Sequence, residues 1–245
     1  NIVLDFNTTA IDGSKWSNLG ELTVNADTGG TIGLSGTITS SGSQTYNGAV
    51  QLDGDTTLDG GFALNLPQGV VGNSKNLVLD FINQPTSLAG DFTGINDLTS
   101  KGDVLISGDI RTSGNQSYDA GVTLDGDTLL DGNSLSLNGV NGGDNDLEIS
   151  FNTTTAIDSN WTKIGDFAAD TSVSLTGNFS TARQFYQAPV SLLGDTVLSA
   201  SNTDFVGVEF TKGSASVSGM NRRQWGHLHS AGTTTQRRKG SWGPG

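Results

Sequence analysis

The sequence predicts an all-β fold, a parallel β-helix (β-solenoid) wound from three tandem repeats of about 70–75 residues. Three observations carry that prediction. The first is a fifteen-residue string, Gln44 to Leu58 (QTYNGAVQLDGDTTL), that returns as Gln116 to Leu130 (QSYDAGVTLDGDTLL) and as Gln184 to Leu198 (QFYQAPVSLLGDTVL). Eight of the fifteen positions are identical in all three, and the tyrosines fall at 46, 118 and 186, steps of 72 and 68 residues. The second is the pattern of short runs with period two, separated by Gly, Asn, Asp and Ser, with no stretch of helical period. The third is a low hydrophobic share, 33%, made up mainly of regularly placed Val, Leu, Ile and Phe, as in a narrow interior file of side chains.

Each unit opens on an alternating strand: Asn1-Ile2-Val3-Leu4-Asp5-Phe6, Asn76-Leu77-Val78-Leu79-Asp80-Phe81 and Asp146-Leu147-Glu148-Ile149-Ser150-Phe151. An aromatic follows in each, Trp16, Phe92 and Trp161. A second strand is expected at Glu21-Leu22-Thr23-Val24. Next come Leu34-Ser35-Gly36-Thr37-Ile38, Ile106-Ser107-Gly108-Asp109-Ile110 and Leu175-Thr176-Gly177-Asn178-Phe179. The Gln-x-Tyr string begins seven or eight residues after that glycine. One more strand closes each unit, at Phe62–Leu66, Leu135–Leu137 and Val206–Phe210. A string of small sandwiches is the competing all-β solution, but sandwiches commonly need about 100 residues and a linker between copies. These units abut. The solenoid reading therefore takes 1–219 as one body (repeats 1–75, 76–145 and 146–219), at about 22–24 residues per coil and about three coils per unit. The chain reads as a piece cut from something longer, in phase with its repeat.

Composition narrows the function classes. There is no cysteine, so no disulfide framework and no thiolate metal site. No apolar run is long enough to span a bilayer as a helix. Net charge is −13, but residues 220–245 hold Arg222, Arg223, Arg237, Arg238 and Lys239 with no acid. The body thus carries 7 basic (12 − 5) and 25 acidic side chains, a net of −18, which repels nucleic acid and anionic lipid. The tail breaks every pattern of the body. It reads either as a non-native end or as a basic segment that docks on an acidic surface, and its His227 and His229 make a weak metal pair.

Candidate chemistry is sparse. Asp53-Gly54-Asp55 with Asp59, and Asp125-Gly126-Asp127 with Asp131, have the oxygen-rich spacing of a calcium turn. The third copy reads Leu193-Gly194-Asp195 and ends in Ser199, so turn capping by Asp is the preferred reading and no cofactor is expected. Gln44, Gln116 and Gln184 with Tyr46, Tyr118 and Tyr186 could form a surface ladder for sugars; stacked, ladder-bonded structural residues are the favoured alternative. A serine triad needs a histidine, and both lie in the tail. No carboxylate pair stands out as a glycosidase couple. The sequons at Asn7, Asn115, Asn152, Asn160 and Asn178 matter only in a eukaryotic secretory setting. No catalytic, cofactor-binding or metal residue is assigned.

The string Ser41-Gly42-Ser43-Gln44-Thr45-Tyr46 through Asp55-Thr56-Thr57-Leu58, with a close copy from Ser113, resembles repeats of bacterial filamentous-haemagglutinin-like surface adhesins. The third copy departs at Ala182-Arg183, where the Ser-Gly is lost. The resemblance covers roughly 1–219. It implies a right-handed parallel β-helix, export across the outer membrane, and an extracellular or bacterial cell-surface location. The function expected from it is a non-catalytic adhesive or scaffolding shaft that meets glycans, extracellular matrix or neighbouring copies, without nucleic-acid partners or membrane insertion. A self-assembling filament subunit is the second expectation and a β-helix polysaccharide-active enzyme the third.

Overall fold

In the computed structural model, residues 1–16, 19–157, 160–205, 208–210, 215–217 and 229–230 are described. They form a β-solenoid of about 10 turns in which every strand pairing is parallel. Parallel pairing follows from the winding, since each strand lies over the strand one coil earlier and runs the same way. At roughly 4.8 Å per coil the body is on the order of 50 Å long.

Each coil has three faces. The first begins with Ile2–Phe6, Leu22–Ala26, Gln44–Asn47 and Leu64–Leu66, stacked in that order. The second runs through Thr9–Asp12, the first halves of Thr31–Ser40 and Ala49–Gly60, then Val70–Val71 and Phe92–Ile95. The third takes the second halves of those two long strands, then Leu77–Asp80, Leu98–Ser100, Asn115–Tyr118 and Ser134–Leu137. Because strand side chains alternate, one set points inward and stacks: Ile38, Leu58 and Leu79 lie over one another, as do Leu66, Leu88, Ile106 and Leu124. These inward residues are buried and form one continuous apolar core. Trp161 lies within it, edge-on to Phe167 at 5.5 Å and tilted against Phe179 at 5.9 Å.

The coil is shorter than the sequence spacing suggested. Bonded partners one coil apart are separated by 17 to 22 residues, not 22–24. As a result, a repeat does not close on itself. Three coils on from Tyr46, through Leu66 and Leu88, the first face is reached again at Ile106. Tyr118 lies 12 residues further on (118 − 106) in a coil that takes 18 to return, from Ile106 to Leu124. The repeat is therefore about three and two-thirds coils rather than three. Tyr46 sits on the first face, Tyr118 on the third, and Tyr186, paired with Ala169 and Phe205, on the second. Successive repeats are turned by a third of a coil.

The repeated Leu/Ile-x-Gly motif marks the corners. Gly36, Gly108 and Gly177 have φ of +74°, +102° and +113°, a region that L side chains rarely enter. The coil above takes a wider corner. Leu34 pairs with Leu52 but Gly36 with Thr56, so two more residues are accommodated, and the same shift occurs at Ile106/Gly108 and Leu175/Gly177. Most of the basic tail, 220–228 and 231–245 with His227, lies outside the described residues. The short strand His229–Ser230 pairs with Val208–Phe210.

Candidate functional site

All eight identical positions of the repeat serve the coil. Val50, Leu52 and Leu58, with their counterparts Val122, Leu124, Leu130, Val190, Leu192 and Leu198, point into the core. Gly54, Gly126 and Gly194 lie so close over Ser35, Ser107 and Thr176 that a Cβ would come within 3.1, 2.9 and 2.8 Å of those side chains. The Thr56 hydroxyl donates to the Leu34 and Gly54 carbonyls at 3.2 and 2.9 Å, and Thr128 and Thr196 repeat the arrangement. Each threonine thereby fastens a wide corner to the tight one beneath it.

The glutamine and tyrosine are interior groups, not a surface ladder. Gln44 is fully buried, and its Nε2 donates to the Ile38 carbonyl (3.0 Å), Ser40 Oγ (3.2 Å) and the Asp59 carbonyl of the next coil (2.8 Å). Tyr46 donates its hydroxyl to Gln44 Oε1 at 2.8 Å. Gln116 and Tyr118 repeat the set with Ile110, Thr112 and Asp131. Burial pushes all three phenols far above their ordinary pKa. In the third copy Tyr186 still bonds Gln184 Oε1 at 3.2 Å, but the buried Gln184 Nε2 has no partner. The cause is one missing residue: glycine to glutamine is 8 residues in the first two copies (44 − 36 and 116 − 108) and 7 in the third (184 − 177).

The Asp-Gly-Asp sets do not converge. Asp55 Oδ1 accepts the Asn76 N–H of the next coil at 2.9 Å, and Asp127 Oδ1 accepts that of Asp146 at 2.9 Å. The pattern continues up the rod: Asn76 accepts the Asp97 N–H and Asp97 that of Asn115, while Asp146 accepts that of Asp166. Asp53 takes Gln51 Nε2, Asp59 takes the Thr39 hydroxyl, and Asp131 meets Arg111. Among the described residues, no three His, Asp or Glu side chains are grouped to hold a metal ion.

A different cluster, invisible in the linear sequence, forms on the outside of the second face. Asp109, Leu129, Glu148, Ala168 and Phe185 stack there, coil over coil. The Asp127–Asp146–Asp166 ladder runs beside them, and together these residues line an open groove of about 410 Å³. Arg183 grips Asp166 through both carboxylate oxygens, its Nε at 2.7 Å from Oδ1, and its guanidinium lies 5.7 Å from the centre of the Phe185 ring. Arg111 reaches Asp109 at 2.8 Å. The lining thus has an apolar floor and a carboxylate rim. No separate signal marked it, because its members are spread over four coil steps of sequence.

Among the described residues, no helix is long and apolar enough to cross a membrane. Neither family models, nor curated proteins, nor solved structures offer a match to this chain.

Proposed function

We propose that this chain is a non-catalytic shaft segment of a secreted bacterial surface adhesin or fibre, acting in adhesion or cell-surface scaffolding. One observation carries the reading: seven of the eight positions that the repeat keeps constant are core, corner or interior-bonding residues, and the eighth, the Asp, holds the next coil's backbone in the first two copies. A repeat under that constraint maintains length and stiffness, the properties a shaft needs. Binding then rests on the outward side chains, which vary between copies and can meet glycans, matrix or neighbouring molecules.

The filament reading is favoured by one feature. Ile2 and Leu4 point inward from the strand Ile2–Phe6 yet are only half-buried, whereas Leu22 and Val24 directly above are buried. A further coil beneath, from the same polypeptide or from a second copy, would cover them and pair the open strand edge. Electron microscopy of the purified chain separates the two: discrete rods about 50 Å long support a shaft segment, and end-to-end filaments support a subunit. Adhesion of chain-coated beads to glycan and matrix arrays tests the binding role. Release of reducing sugar from polysaccharide would overturn the non-catalytic assignment.

A further inference from the structure

The groove on the second face is set apart by comparison with its own repeat. One repeat earlier, on the third face, the same structural places hold Thr37, Thr57, Val78, Thr99 and Ser117, stacked coil over coil. That row is small and uncharged. Its counterpart is Asp109, Leu129, Glu148, Ala168 and Phe185. The backbone is equivalent in both and the positions point outward, so coil packing asks nothing of these side chains. Asp109, Leu129 and Phe185 have nonetheless replaced the hydroxyls of Thr37, Thr57 and Ser117, and Glu148 stands where the earlier row has Val78.

We infer that this groove is a docking site for a basic polypeptide segment, an extended stretch of Lys and Arg with an apolar side chain among them. Five carboxylates line it (Asp109, Asp127, Asp146, Glu148, Asp166), and Arg111 and Arg183 offset two of them, leaving a local charge of −3 (2 − 5). Asp127 and Asp146 each hold the next coil's backbone through Oδ1, which fixes the rim in place without removing its charge. Leu129, Ala168 and Phe185 are half-buried and give the floor an apolar surface. The open trough crosses successive coils, so an extended chain lying along the rod meets a carboxylate at nearly every rung. The charge complementarity selects a cation, and the floor selects one that carries an apolar side chain. This inference stands whether or not the chain belongs to an adhesin.

The test uses the full chain and a fluorescein-labelled peptide of alternating Arg, Lys and Trp, with an acidic peptide of equal length and a neutral gluco-oligosaccharide as comparisons. Fluorescence anisotropy at low salt is expected to show binding of the basic peptide that weakens steeply as salt rises. Glu148→Lys, at an exposed position whose change leaves the core intact, is expected to lower that affinity at least about tenfold. Phe185→Ala lowers it less and leaves the salt slope unchanged. Asp27→Lys makes the same charge change far from the groove and has little effect. No binding, or an equal loss with Asp27→Lys, overturns the site. Preferential binding of the oligosaccharide, lost in Phe185→Ala, reassigns the groove to glycan and overturns the peptide. Self-association without peptide, abolished by Glu148→Lys, gives the groove to a second copy and overturns a foreign partner.

Discussion

The buried Gln-x-Tyr pair makes a comparison within one molecule possible, because two copies are fully bonded and the third is not. Gln44→Met keeps the side-chain volume but removes three donated bonds and the acceptor of Tyr46. A buried hydroxyl left without a partner costs about 1–3 kcal/mol, and each of the three lost neutral bonds costs about 1 kcal/mol net, so a loss of about 4–6 kcal/mol is expected. Gln184→Met removes only the 3.2 Å bond to Tyr186 while eliminating an amide nitrogen that is already buried without a partner. The two effects are of similar size and opposite sign, so the change should lie within about 1 kcal/mol of neutral. For a urea slope of about 3 kcal/mol/M the first variant shifts the midpoint by about 1.3–2 M and the second by less than about 0.3 M. Solenoids unzip coil by coil, so the companion measurement is hydrogen exchange, with lost protection centred on the coils of Ile38 and Asp59 for Gln44→Met. A Gln184→Met variant as unstable as Gln44→Met would refute the claim that the shortened third corner leaves this amide unbonded.

Three further outcomes are expected. Gly108→Ala places a Cβ at φ +102° and 3.0 Å from the Gly90 carbonyl oxygen, and should cost about 1–2 kcal/mol or more in urea unfolding. All three tyrosines are buried with raised pKa, so the folded state holds their protons more tightly than the unfolded state. Their contribution is fully present below the ordinary phenol value of about 10 and falls above it, by about 1.4 kcal/mol per pH unit for each tyrosine. Tyrosinate absorbance should therefore appear together with loss of the circular-dichroism signal, and Tyr46→Phe should make that alkaline fall shallower. Asp127→Ala should lose about 1 kcal/mol and Asp127→Asn much less, since Asn keeps an oxygen for the Asp146 N–H. Calcium or a chelator should leave the melting temperature of the parent unchanged, and a rise with calcium would restore the Asp-Gly-Asp sets as a metal site.

Local chemistry was legible in the linear chain. Alternation in Leu77-Val78-Leu79-Asp80, the glycine before Thr37 and Asp109, and the Gly-Asp-Thr turn each act within a few residues, so each could be read as strand or corner before any neighbour was known. The inward role of Gln44 was harder to read. A glutamine is normally exposed, and only the carbonyls of Ile38 and Asp59, brought together from two coils, make its burial favourable.

The sequence by itself determined that this protein is a parallel solenoid, because a repeat of alternating strands and tight turns has few other ways to bury so thin a file of apolar side chains. Only the tertiary structure decided the coil length, the third-of-a-turn advance between repeats, and therefore which outward residues share a face. The physical reason is that register is set by stacking against the coil below: each corner adds or drops a residue or two, and those small choices accumulate. Asp109 and Phe185 became neighbours along one groove through that accumulation, and no local signal at either position records it.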